Sequence, residues 1–203
     1  MIKYGIFSAP GLRQTPMIHA VLGSLARCGV LSVRVQIDDG SFGAMGNYDM
    51  LLSGMIANSE KGDQLVVLQD DMVACPRLHD ILEGAAIGHG DRVHALFTPA
   101  QNIPDHREAN GWVDINPGWG GWGGCFMIPR EIAMRMVNDE FWRAHAARSR
   151  KQADACTWEV MRLRGIPVAS HVPSLLDHIG MESTLGHEHS DETRGFRFNE
   201  WSE

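Results

Sequence analysis

The stretch Asp63–Pro76, DQLVVLQDDMVACP, decides how the chain is read. Leu65, Val66, Val67 and Leu68 form an unbroken apolar run with two β-branched residues, which is how a strand buried on both faces reads. The run ends in Gln69-Asp70-Asp71. Two adjacent carboxylates at the carboxyl end of a buried strand are costly unless something compensates their charge. A divalent cation is the simplest compensation. Mg²⁺ and Mn²⁺ take oxygen ligands and commonly hold a phosphate-bearing substrate through one or two carboxylates. In open α/β sheets the ligand crevice lies outside the carboxyl ends of the strands, so position and chemistry agree. Asp is also a favoured helix N-cap, and an acidic cap for the next helix is the plain alternative.

Upstream, Ile2–Ser8 (IKYGIFS) reads as an opening strand broken by Ala9-Pro10-Gly11. Thr15-Pro16 is a cap and first-turn pair, Met17, Val21, Leu22 and Leu25 recur at helical spacing, and Gly29 stops the helix. Leu31–Ile37 alternates and ends in Asp38-Asp39-Gly40. A strand, a helix and a strand in this order favour a parallel sheet. Ser41–Asn47 reads as a Gly-rich loop and Tyr48–Ser59 as a helix. The first hundred residues thus resemble a nucleotide-binding α/β half, with Ser8, Asp38-Asp39 and Asp70-Asp71 on one sheet edge. An acidic residue after the second strand is well placed for a base or ribose, and a plain turn explains Asp38-Asp39-Gly40 equally well. The first turn lacks GxGxxG, which disfavours a dinucleotide-binding Rossmann domain.

Downstream, Pro76–Ile87 reads as a helix, Val93–Phe97 as a strand and Thr98–Gly111 as loop. Gly111–Gly124, GWVDINPGWGGWGG, is too rich in glycine for a stable helix. Its Trp112, Trp119 and Trp122 suit a mobile loop that stacks on a sugar or base, or an aromatic cluster beneath a loop. Cys125–Ile128 reads as a strand, and Pro129–Val137, Asp139–Arg150 and Lys151–Gly165 as helices, with Asp154 near the start of the last. Ile166–Ser170 reads as a further strand. The polar tail ends in Phe196, Phe198 and Trp201, and either wraps the domain or is partly disordered. Its His187-Glu188-His189 reads as a solvated stretch rather than a metal site.

The 203 residues suit one domain. A formal net charge of −7 gives no general footprint for nucleic acid. No apolar stretch reaches the ~18 residues of a membrane span, and the start lacks a signal-peptide core. The four cysteines are scattered, so buried reduced thiols and a cytoplasmic protein are expected.

The opening strand, the acidic pair after the second strand, the Gly/Asn loop and VVLQDD together resemble a GT-A type glycosyltransferase. That family's metal motif is DxD or a variant such as EDD, and here it reads Gln69-Asp70-Asp71. GWGGCFMIPR resembles the family's Gly-rich strand entry, and Lys151–Gly180, ending in PSLLDHIG, resembles the C-terminal part of its catalytic domain. The resemblance implies a Rossmann-like α/β fold with a mixed, mainly parallel sheet flanked by helices. It implies one catalytic domain over residues 1–186, with a nucleotide half (1–100), an acceptor and metal half (101–186) and a polar tail (187–203).

The resemblance further implies that Asp71 and His178 hold Mn²⁺ or Mg²⁺ against the diphosphate of a nucleotide-sugar, with UDP the default nucleotide, and that Asp70 touches ribose or donor sugar. Ser8, Arg13, Asp38 or Asp39, and Asn47 would line the nucleotide pocket. Asp154 would be the general base or an acceptor-hydroxyl binder, and Trp119 and Trp122 would face the acceptor. The acceptor is open: a saccharide, a protein, a small molecule, or a modified DNA base as in bacteriophage enzymes. The chain is short for this family, so its acceptor-binding part is minimal. The rival readings are a nucleotidyltransferase making nucleotide-sugars, for which Ser8–Arg13 offers only Gly11 and Arg13 as phosphate-loop residues, and a non-catalytic binding module.

Overall fold

The computed structural model describes residues 1–8, 14–88, 91–100, 103–119, 123–148, 153–179 and 194–202. In chain order the strands are β1 (Ile2–Ser8), β2 (Val33–Ile37), β3 (Gln64–Gln69), β4 (Met72–Ala74), β5 (Val93–Ala95), β6 (Gly111–Ile115), β7 (Phe126–Pro129), β8 (Val168–Val172) and β9 (Leu176–His178). The helices are α1 (Gln14–Arg27), α2 (Gly43–Ala57), α3 (Leu78–Gly88), α4 (Arg130–Val137), α5 (Glu140–Arg148) and α6 (Ala153–Leu163). Seven strands form one sheet in the order β2-β1-β3-β7-β5-β8-β6, and β4 and β9 form a second, small sheet.

The apolar run of the opening stretch is the third strand from one edge, between β1 and β7. Leu65 and Val67 face one hydrophobic cluster and Val66 and Leu68 the other, so every residue of the run is buried. That two-sided burial is why the run does not alternate. β1, β2 and β3 are parallel, β7 is antiparallel to β3 and β5, β8 is parallel to β5, and β6 is antiparallel to β8. Only β7 and β6 run against the other five strands of the seven, so the sheet is mixed and mainly parallel in direction. Helices flank it, and the expected mixed α/β architecture is present.

Several elements differ from the sequence reading. Most of the expected Gly-rich loop at Ser41–Asn47 is the first turn of α2, which starts at Gly43. Asp38 organises that start: its Oδ1 accepts the N–H groups of Gly40 (2.9 Å) and Phe42 (3.2 Å). Met45 and Asn47 are then buried on the helix, and this packing outweighs the low helix propensity of the glycines. The front of the expected mobile loop at Gly111–Gly124 is β6, held by pairing with β8 from Gly111↔Val172 to Ile115↔Val168. β4 and β9 have no counterpart in the sequence reading, because strands of three residues carry almost no periodic signal. The described part of the tail wraps the domain: Phe196 bonds through its backbone to Thr98 and Ser174, and Trp201 Nε1 donates to Ser174 O at 2.7 Å.

Gly5 lets α2 lie close on β1. A Cβ built there would stand 2.5 Å from Met55 Sδ and 2.9 Å from Leu51 Cδ1. Overpacking of this kind costs about 1–3 kcal/mol. Gly5→Ala is expected to lower the unfolding free energy in urea by that amount with an unchanged m-value. A neutral result would mean that the α2 side chains yield without loss.

Candidate active site at the carboxyl edge of the sheet

β1, β2 and β3 are parallel, so Ser8, Asp38 and Gln69-Asp70-Asp71 emerge at one edge. β7 enters from that edge because it runs against β3, with Val67 opposite Phe126. Its lead-in, Gly123-Gly124-Cys125, therefore lies beside Gln69: Gly124 N donates to Gln69 Oε1 (3.4 Å) and Gln69 N to Cys125 Sγ (3.3 Å). Gly123 has φ +83°, and a Cβ there would stand 2.7 Å from the Phe97 ring. Only glycine suits both its conformation and that approach.

Asp71 and His178 meet. Antiparallel pairing of β4 with β9 sets Met72 opposite His178, and Ile179 N donates to Asp71 O at 2.9 Å. His178 Nδ1 then lies 3.4 Å from Asp71 Oδ2. The Phe97 ring packs edge-on against the imidazole at 4.9 Å between centroids. Asp71 Oδ1 is buried and has no hydrogen-bond partner among the described residues. A carboxylate oxygen in that state is costly, and a cation would satisfy it. Among the described residues no group of three or more His, Cys, Asp or Glu could hold a metal by itself. Two protein donors fit a Mg²⁺ or Mn²⁺ ion whose other ligands are phosphate oxygens and water.

Ser8, Asp38, Asn47 and Asp70 form one hydrogen-bonded chain. Asp38 N (3.1 Å) and Asn47 Nδ2 (2.9 Å) both donate to Ser8 O, and Ser8 Oγ donates to Asp70 Oδ2. Asp38 Oδ2 and Asn47 Oδ1 are buried acceptors without partners among the described residues. Asp39 stands apart from this chain: it is exposed, and the Ser41 hydroxyl and backbone N–H on its carboxylate hold its pKa below the ordinary value. The turn alternative thus describes part of what Asp38 and Asp39 do.

Asp154 opens α6, and its Oδ1 accepts the N–H of Ala155 at 2.9 Å. Burial raises its pKa above the usual carboxylate value, against the backbone N–H groups of Ala155, Asp154 itself and Gly123, which lower it. Cys125 links the two halves of the site. Burial pushes its thiol pKa up, and the nearby charges of Asp71, Asp154 and Asp70 push it further, while the Gln69 N–H pulls the other way. The charges of all three carboxylates thus act on one buried thiol. Trp119 sits in a 3-10 turn, Pro117–Trp119, and its side chain lies outside the described residues, as do Arg13 and Trp122 entirely.

The sequence reading missed Phe97, which supports both Gly123 and His178. It also missed Cys125, on whose thiol the carboxylate charges act. An aromatic residue two positions past a short strand carries no signal of such a role. A separate cleft of about 280 Å³, lined by Arg135, Met136, Asp139, Val160, Arg164 and Ile166, contains none of the expected site residues.

Fold and site together define a mixed α/β protein of Rossmann-like design, with its polar residues gathered where the parallel strands end. No family model matches the chain, and no curated protein matches it. Among solved structures it is similar to the mannose-1-phosphate geranyltransferase from Thermus thermophilus, a transferase by name, at 14% identity over 84% of this chain and 74% of that one, with a TM-score of 0.37. Among the described residues no helix is long and apolar enough to cross a membrane.

Proposed function

We propose that the chain is a metal-dependent glycosyltransferase that moves a sugar from a nucleoside diphosphate sugar, by default a UDP-sugar, to a hydroxyl acceptor. One observation carries this reading: Asp71 and His178, far apart in sequence, stand 3.4 Å apart beside a buried carboxylate oxygen with no partner among the described residues. Asp71 and His178 would hold Mn²⁺ or Mg²⁺, which supplies positive charge where the leaving diphosphate becomes negative. Ser8, Asp38, Asn47 and Asp70 would bind the nucleoside. They are already fixed by hydrogen bonds to one another, so little ordering is needed on binding.

Asp154 would take the proton of the acceptor hydroxyl. Burial makes it a stronger base than an exposed aspartate. In the inverting course the acceptor oxygen forms its bond to the sugar C1 as the bond from C1 to the diphosphate oxygen breaks. The nucleoside diphosphate leaves with the bonding pair, and the proton ends on Asp154. Trp119 and Trp122 would offer ring faces to a sugar acceptor.

Thermal shift tests the reading. UDP, GDP and CMP are compared with and without Mn²⁺. A nucleoside diphosphate at ~100 Kd should stabilise the fold by about 2.7 kcal/mol, or about 5–10 °C for a domain of this size. That shift should require the metal and vanish in Asp71→Ala. In His178→Ala the metal response should weaken while the fold persists. Stabilisation by a nucleoside triphosphate with pyrophosphate release would instead indicate a nucleotidyltransferase. Binding without donor hydrolysis would indicate a binding module. A metal response unchanged in both variants would remove Asp71 and His178 from the site.

A further inference from the structure

The two edges of the large sheet are built differently. At β6 the salt bridge between Arg92 and the exposed Asp114 places charge on the edge strand, and Arg197 Nη1 bonds the carbonyls of Arg107 (3.1 Å) and Ala109 (3.0 Å) on its approach. At β2 there is no such device among the described residues. Its sequence is VRVQI, with neither proline nor lysine, and its one charge, Arg34, turns toward α2, where Nη1 donates to Gly54 O. Val35 is 37% exposed, Ile37 50%, and Leu31 just before the strand 94%. An uncovered apolar edge of this kind is a template for another strand.

The backbone shows what that strand must offer. Asp38 N donates to Ser8 O, so the even-numbered residues of β2 direct their N–H and C=O groups toward β1. Successive residues alternate, so Val33, Val35 and Ile37 direct theirs outward, where no described strand pairs with them. We propose that this edge is a dimer interface, on which β2 of a second copy of this chain pairs antiparallel about a twofold axis at Val35.

VRVQI is self-complementary in that register. Val35 faces Val35 of the second copy and exchanges both hydrogen bonds with it, and Val33 faces Ile37. All outward N–H and C=O groups of the strand are then satisfied. Arg34 falls opposite the neutral Gln36 of the second copy. A shift of the axis to Arg34 would set two arginines directly opposite each other, which is destabilising. A shift to Gln36 would leave Val33 beyond the paired strand. The twofold also brings the two α2 helices together along the side that carries the partly exposed Met50. The interface is a continuous sheet with a helix layer over it, and it is independent of what the catalytic edge binds.

Analytical ultracentrifugation of the whole chain, from low micromolar to the highest workable concentration, tests this. The wild type should sediment as a dimer. Val35→Lys and Val35→Glu should each be monomeric with unchanged circular dichroism, because each sets like charges face to face. An equimolar mixture of the two should dimerise again. Where a Val35 variant fails to fold, Ile37→Lys or Ile37→Glu should dissociate the dimer, since that side chain is more exposed. A wild type that is monomeric at every concentration overturns the proposal, as does a dimer that survives the folded Lys and Glu variants alike.

Discussion

Asp154→Asn is expected to lower turnover by about 10²–10⁴-fold, the usual contribution of a positioned general base, and to leave the fold at least as stable as before. The two effects share one cause. Burial raises the pKa of Asp154 in the folded chain. The folded state then holds the proton more tightly than the unfolded chain does. The stabilisation from this group is fully present below the unfolded pKa and is lost as pH rises through the folded one. Above its folded-state pKa the carboxylate is ionised and weakens the fold. Asn keeps an oxygen for the Ala155 N–H and removes the charge. Melting temperature and donor turnover measured on the same samples should therefore move independently. The acid limb of the rate should lie above the pH at which an ordinary aspartate titrates, and the residual activity of the variant should lack that limb. Full turnover in Asp154→Asn would leave the reaction without this base.

How much of this is legible in the sequence depends on the length and burial of each element. β3 is legible because four successive apolar residues have no other economical reading, and β1 and α1 because each ends at glycine or proline. The approach of His178 to Asp71 is not in the residue pattern. It comes from the family resemblance, because only the pairing of two three-residue strands delivers it. The start of α2 reads wrongly as loop because burial of Met45 and Asn47 outweighs local glycine propensity. Trp112 illustrates the same limit. Its neighbours in sequence suggest either a stacking residue of a mobile loop or a member of an aromatic cluster beneath a loop. It is packed edge-on between His94 and His171, at 4.5 and 5.0 Å, on a strand whose partner lies far along the chain. Local composition cannot report a partner that distant. Asp38 shows why site and structure are hard to separate by sequence. One of its oxygens closes a turn while the other is left buried without a partner among the described residues, and the same DDG triplet is compatible with both.

The tail offers the second large effect. Asp177 is 2% exposed, and it stands opposite Val73 in the small sheet, next to His178. Its carboxylate accepts Arg194 Nε at 3.1 Å, a second Arg194 nitrogen, and Gly195 N at 2.8 Å. Gly195 fits so closely that a Cβ would stand 2.2 Å from Leu176 O. Arg194→Ala would leave a buried carboxylate with the Gly195 N–H and no cation. Breaking a buried pair from one side costs about 3–5 kcal/mol. Arg194 is half in water and Gly195 N remains, so the lower figure is expected, about 3 kcal/mol, which lowers the melting temperature by about 6–12 °C. The backbone amides of Met72–Ala74 and Leu176–Ile179 should then exchange hydrogen faster, because the strap no longer holds β9 against β4. Asp177→Asn added to Arg194→Ala should recover part of the loss, since the double variant buries no charge, whereas additive losses would mean that the pair was not the source of the stability. The tail is thus expected to act on His178 through β9, and a melting temperature unchanged in Arg194→Ala would break that connection.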